Sequence, residues 1–177
     1  MGNLLEVSSS NYLLSEVNPP LTLLQNCTFH KGSSLELLHL HKKLLKLNII
    51  QGFYIQFSDI PRVFKNSRIE YQSSIIETYF GSSKFKKVNI MEVFACLIAY
   101  SECFLNEKVK LALDIFDLDG NQVITKDEMS IMCISFMRGI ALMTQSSYES
   151  KNTSEHLADQ AFYLADSDPD GMITYDE

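Results

Sequence analysis

The sequence predicts an all-α protein built from helix–loop–helix units, and three observations predict it. Apolar residues recur at helical spacing through most of the chain. Gly and Pro are sparse inside those stretches. Two twelve-residue acidic segments, residues 117 to 128 and 166 to 177, each follow an amphipathic helix.

Taken in order, residues 1 to about 34 read as an arm, because Ser8-Ser9-Ser10, Pro19-Pro20 and Gly32-Ser33-Ser34 interrupt its short apolar pieces. A leucine stripe follows (Leu37, Leu38, Leu40, Leu44, Leu45). Ile75, Ile76, Tyr79 and Phe80 form a second stripe, and Val93, Phe94, Leu97, Ile98 and Tyr100 a third. Further helices are expected at about 106 to 116, 126 to 143 and 155 to 165, with the polar, Ser-rich stretch 144 to 154 as a linker.

Charge separates the halves. Residues 1 to 104 carry 10 Lys/Arg against 8 Asp/Glu, whereas residues 105 to 177 carry 5 against 14, giving +2 and −9. Carboxylates clustered in short runs point to cation binding, and the acidic half lacks the basic footprint that nucleic acid requires. Four widely spaced cysteines (Cys27, Cys96, Cys103, Cys133) form no C-x-x-C, so reduced thiols and a cytoplasmic protein are expected. No apolar run approaches the length of a membrane span, and no basic segment precedes an early apolar stretch. Met1-Gly2-Asn3 opens like an acylation signal, but Glu6 stands where Ser or Thr is required, so membrane contact by acylation is not expected.

The two acidic segments carry the chemistry. Calcium takes six to eight oxygens at about 2.3–2.6 Å, and a twelve-residue loop supplies them from positions 1, 3, 5, 7, 9 and 12. In the later segment these are Asp166, Asp168, Asp170, the Met172 carbonyl, Thr174 and Glu177, with Gly171 at the left-handed turn. In the earlier one they are Asp117, Asp119, Asn121, the Val123 carbonyl, Thr125 and Glu128. Gln122 stands there in place of glycine, at a cost of roughly 1 kcal/mol. Ile124 and Ile173, at position 8 of each loop, are expected to point into the core and pair their backbones in a short two-stranded bridge. Calcium is the expected ion, with magnesium as a competitor.

These residues resemble the calmodulin superfamily of EF-hand proteins, and within it the four-hand branch of neuronal calcium sensors, calcineurin B and calaxin. The two good loops begin 49 residues apart, a wide spacing that resembles the last two hands of that branch more than calmodulin's own. Val88-Asn89-Ile90-Met91-Glu92-Val93-Phe94, then Asn106-Glu107-Lys108, then Ile115-Phe116-Asp117-Leu118-Asp119-Gly120-Asn121 is similar to its second hand running into its third. The resemblance implies two lobes: residues 35–104 with two degenerate hands, and 105–177 with two calcium-binding hands, the last ending at its loop. In the degenerate loop 81–92, Val88 holds position 8 and Glu92 position 12, but Gly81, Ser83 and Phe85 replace ligands and Lys84, Lys86 and Lys87 add repulsive charge. A fainter loop spans about 48–59, with Ile55 at position 8 and Phe57, Ile60 and Phe64 around it. Neither is expected to bind calcium.

The resemblance also implies a calcium sensor or regulatory subunit that changes its hold on a protein partner. The alternative is a structural subunit of a cytoskeletal or ciliary, axonemal assembly. Met129, Met132, Met137 and Met143, with Phe136, place flexible side chains on one helix, which suits a groove receiving a partner helix. Leu37 to Lys46 reads as an entering helix with a solvated basic face, and His39 and His41 fall on different sides of it. No H-E-x-x-H, phosphate-binding glycine loop or paired nucleophile is present, so an enzyme is not expected.

Overall fold

The computed structural model describes residues 33–82, 84–147, 151–168 and 170–177. The arm as far as residue 32, with Cys27 and the Met1-Gly2 opening, lies outside the described residues.

Among the described residues the chain forms seven α-helices: α1 (Ser33–Leu47), α2 (Ile60–Phe64), α3 (Ser73–Phe80), α4 (Ile90–Tyr100), α5 (Leu105–Phe116), α6 (Lys126–Thr144) and α7 (Lys151–Ala165). Strands are short: β1 (Tyr54–Gln56), β2 (Gly81–Ser82), β3 (Lys87–Asn89), β4 (Ile124–Thr125) and β5 (Met172–Ile173). The fold is therefore all-α, as the periodicity predicts. The helix expected at 155–165 begins four residues earlier, because Asn152, Thr153 and Ser154 are polar without being helix stops. None of the described helices is long and apolar enough to cross a membrane.

Loop pairs hold the units together. β1 and β3 are antiparallel with Ile55 opposite Val88, and β4 and β5 are antiparallel with Ile124 opposite Ile173. The same position of each loop thus meets its counterpart, and all four side chains are buried. The first bridge departs from the expected two strands. β2 folds back on β3 with Gly81 opposite Val88, making a three-stranded sheet in the order β1-β3-β2. The cause is local: the Ser82 carbonyl accepts the N–H groups of Phe85 (3.2 Å) and Lys86 (2.7 Å), closing a hairpin where a metal-binding loop would wind round an ion.

Two apolar clusters fill the interior. The larger draws Leu37, Leu40 and Leu44 from α1, Ile76 and Phe80 from α3, Leu111, Ala112, Ile115 and Phe116 from α5 and Met143 from α6. At its centre lies α4, buried from Ile90 to Ile98 on every side, as an apolar helix without a polar face must be. Leu45, counted in the α1 stripe by its spacing, is instead 55% exposed. The smaller cluster joins Ile124, Met129, Ala158, Phe162 and Ile173.

His41 is buried with its ring edge-on to Phe94 at 5.7 Å, whereas His39 is exposed, so the two do separate to different sides of α1. Burial lowers the His41 pKa, outweighing the opposing pull of Asp114 and adding to the push of Lys42.

A second contact fixes α6 across α4. The Arg138 Nε lies 3.1 Å from Oε1 of Glu92, whose side chain is 4% exposed, and the same oxygen accepts the Asn89 amide at 3.0 Å. Burial raises the Glu92 pKa, and Arg138 and Asn89 pull it back. Gly139 sits so close that a Cβ there would lie 2.6 Å from the Glu92 carbonyl oxygen and 2.9 Å from the Cys96 Sγ. The closing glutamate of the degenerate loop therefore has a guanidinium as its cation. Replacing Arg138 with methionine strands a buried carboxylate and is expected to cost about 2–3 kcal/mol, less than for a fully buried pair because Arg138 is half exposed. Chemical denaturation of the variant beside Glu92→Gln/Arg138→Met checks it, since the double variant should recover part of the loss.

Candidate metal centre

α5 ends at Phe116, and α6 begins after Thr125, which accepts the Glu128 N–H in a capping box. Between them the loop closes on its own carboxylates. Asp117 Oδ1 accepts the N–H groups of Gly120 (2.9 Å) and Asn121 (3.1 Å), and its Oδ2 accepts that of Gln122 (2.9 Å). Asp119 accepts the backbone and side-chain nitrogens of Asn121. The Asn121 side-chain oxygen takes the Val123 N–H. Glu128 spans the loop: Oε1 accepts the Leu118 N–H (2.9 Å), and Oε2 accepts the Thr125 N–H (2.9 Å) and hydroxyl (2.8 Å).

The last loop repeats this pattern. Glu177 Oε1 accepts the Ser167 N–H (2.9 Å) and hydroxyl (3.0 Å), and Oε2 accepts the Thr174 N–H (2.8 Å) and hydroxyl (3.1 Å). Asp166 Oδ2 takes the Gly171 N–H at 3.2 Å, and Asp170 takes that of Met172 at 2.8 Å. Two loops 49 residues apart in sequence thus hold their glutamates by equivalent atoms.

Carboxylate oxygens of Asp117, Asp119 and Glu128 lie within 4.8 Å of one another, and so do those of Asp166, Asp168 and Glu177. At position 5 the Asn121 and Asp170 side-chain oxygens each accept the N–H two residues on, and Asp170 is outside the second group of three. The carbonyls of Val123 and Met172 belong to the same backbone turns, and Thr125 and Thr174 have their hydroxyls engaged by the glutamates.

Three like charges at this spacing repel unless a cation lies among them. One atom adds to the argument: Oδ1 of Asp166 is buried and has no hydrogen-bond partner. A buried carboxylate oxygen left bare costs free energy that a hard cation would recover. The donor set, all oxygen and mostly anionic, fits calcium.

Hydrogen bonds keep both closing glutamates ionised. At Glu128 burial alone would raise the pKa, but the N–H and hydroxyl of Thr125 and the N–H of Leu118 outweigh it and hold it below the usual value. At Glu177 the N–H of Thr174 and the N–H and hydroxyl of Ser167 bring it down to about 2.

Gln122 adopts φ +68°, in the left-handed region where its counterpart Gly171 has φ +84°. Replacing Gln122 with glycine is expected to stabilise the protein by about 1 kcal/mol, seen as a raised denaturation midpoint at unchanged slope. Where the Asp117 to Glu128 loop loosens without its ion, calcium affinity rises by up to about tenfold.

Among its described residues the hairpin 81–92 shows no carboxylate cluster. A Cβ on Gly81 would collide with the Glu77 carbonyl oxygen and approach the Phe57 ring to 2.5 Å, so the first ligand position has no room for a carboxylate. The first loop, 48–59, brings Ile55 to its bridge with Ile60 and Phe64 buried nearby, and it supplies no carboxylate cluster among the described residues.

Sequence reasoning missed Tyr175. Its hydroxyl donates to Asp114 at 2.6 Å, tying the last loop to α5 just before Asp117. Burial, this bond and the charges of Asp114 and Asp117 all raise the Tyr175 pKa. The pair is 61 residues apart, and no local pattern marks it. Lys126 and Asp159 (3.0 Å) likewise join α6 to α7.

The methionines divide. Met143 enters the large core and Met129 the small one, while Met132, Cys133 and Phe136 line a cavity of about 1500 Å³ bounded also by Val109 of α5 and by Ile173. Cys96, Cys103 and Cys133 form no disulfide among the described residues, and burial raises the Cys133 pKa.

Residues 106–177 match the family model of the EF-hand domain pair, which supports the EF-hand calcium-binding superfamily for this chain. With the two acidic clusters, that match supports binding of a divalent cation.

Proposed function

We propose that this protein is a calcium sensor or regulatory subunit, in which calcium at Asp117, Asp119, Asn121, Val123, Thr125 and Glu128, and at Asp166, Asp168, Asp170, Met172, Thr174 and Glu177, changes its hold on a protein partner. The observation that carries the reading is the repeated closing geometry of Glu128 and Glu177 around clustered carboxylates, with the unpartnered Asp166 oxygen at the second cluster. The apolar cavity beside the last loop suits a partner helix, since Ile173 belongs both to its lining and to the loop bridge. Degenerate first hands paired through Ile55 and Val88 support the four-hand branch of neuronal calcium sensors, calcineurin B and calaxin. A cytoplasmic location and a non-enzymatic role accompany this reading, with magnesium competing for the loops.

One observation favours a second reading. Both glutamates already have hydrogen-bond partners from their own loops, so the loops keep their shape through protein bonds alone. A static calcium ion in a structural subunit of a cytoskeletal or ciliary assembly would use the same geometry. Calorimetric titration of the full chain with calcium tests the binding. An apolar dye and near-ultraviolet circular dichroism, followed through the same titration, separate the readings: a change in both supports the sensor, and binding with neither supports the static ion.

A further inference from the structure

The hairpin that replaces the second metal loop carries an unbalanced surface. Lys84, Phe85 and Lys86 are exposed at its tip, Phe85 to 63%, and Lys87 follows at its base. A fifth of the chain's 15 basic residues thus fall within four positions of a protein whose net charge is −7. Among the described residues, the three ion pairs are Arg68–Glu36, Lys126–Asp159 and Arg138–Glu92, and none uses these lysines. Their contacts are with uncharged groups: the Lys84 Nζ lies 5.2 Å from the centre of the Phe85 ring, the Lys86 Nζ 5.7 Å from that of Phe57, and the Lys87 Nζ 3.0 Å from the Gln51 side-chain oxygen.

The backbone fixes this presentation. Lys86 takes φ +53°, and the Phe57 N–H donates to its carbonyl at 3.0 Å, so the turn is clamped to the neighbouring loop. In a metal-binding loop the same positions would wrap the ion. Here the hairpin turns them outward.

We propose that this tip docks on an anionic lipid bilayer surface. An aromatic ring on a convex turn has no pocket of its own to enter, and the boundary between headgroups and acyl chains accepts such a ring without one. Lysines beside it lay their methylene stems along the ring and reach lipid phosphates with their ammonium groups. A soluble acidic protein would satisfy the lysines and leave Phe85 in water. The proposal needs neither calcium nor acylation.

The test uses the full chain with an unmodified N-terminus, in a chelator, sedimented with vesicles of phosphatidylcholine alone or mixed with phosphatidylserine. Binding is expected only to the anionic vesicles and should weaken with salt. Each lysine near an anionic leaflet is worth about a fivefold change in partition, so Lys84→Gln/Lys86→Gln/Lys87→Gln should lose roughly two orders of magnitude. Phe85→Ala should lose about tenfold at every salt concentration, which bare electrostatic attraction would not produce. Circular dichroism establishes that the variants keep their helices, and the exposed Phe85 site serves if the triple variant does not. No binding to phosphatidylserine vesicles overturns the proposal. So does a Phe85→Ala variant that binds as the parent does, or equal binding to soluble polyglutamate, which would assign the tip to an acidic protein.

Discussion

Replacing Glu128 with glutamine is expected to cut the calcium affinity of the 117–128 loop by about two orders of magnitude, since ligand charge tunes such loops over several decades. Glu128 offers two oxygens at the end of the loop, and each is already aimed by a protein donor: Leu118 on one side and Thr125 on the other. Glutamine keeps the shape but gives up a charge, and its amide nitrogen would face a backbone N–H, donor against donor. The remaining carboxylates, Asp117 and Asp119, retain only weak purchase on the ion. Calorimetry of the variant beside the parent chain reads the result directly. Part of the loss should reach that loop too, because Ile124 and Ile173 share a bridge. Two tight sites left in the variant would show that Glu128 is not a ligand. The companion Glu177→Gln should act on the last loop with less effect on folding, since Glu177 is exposed and Glu128 is buried.

Phe116→Ala should be the most destabilising of the substitutions considered. The ring is fully buried, packs 6.0 Å from Phe136 on α6 and directly precedes Asp117. Truncating a buried phenylalanine costs about 3–5 kcal/mol, the transfer of the ring plus the cavity left behind. In a chain of this length that lowers Tm by roughly 6–20 °C. Scanning calorimetry in a chelator measures it without a contribution from bound calcium. Phe85→Ala is the matched control: the same residue type, exposed at the hairpin tip, expected to shift stability by no more than about 0.5 kcal/mol. Equal losses at the two sites would contradict the packing described.

Which features the sequence disclosed follows from the range of the interactions concerned. The two acidic loops with their clustered carboxylates and paired position-8 isoleucines were legible because twelve consecutive residues carry the pattern. Helices α5 and α6 matched their expected spans within a residue at each end, since apolar spacing is also local. The third strand of the first sheet was not legible. The Ser82 turn that closes it is local but carries no motif, and Gly81 fits there only because a bare backbone can lie against Phe57, 24 residues away in the chain. The bond from Tyr175 to Asp114 and the pair Arg138–Glu92 are further cases in which distant residues meet by packing alone. Position 5 is alike in both loops: the Asn121 and Asp170 side-chain oxygens each accept the N–H two residues on, from Val123 and Met172.

Helix α6 is a rod held at its first turn and again past its middle. Glu128 fastens its first turn to the 117–128 loop, and ten residues later Arg138 and Gly139 fasten it to α4, about 15 Å along the axis. A rod so held cannot turn about its long axis at one end alone. A rotation of about 10° that reseats Glu128 would carry the Arg138 guanidinium sideways by roughly 1 Å, given a helix radius of about 5–6 Å with side chains. That is enough to loosen a contact of 3.1 Å, so any such torsion at the acidic loop would be felt by the guanidinium that serves the degenerate hairpin as its cation.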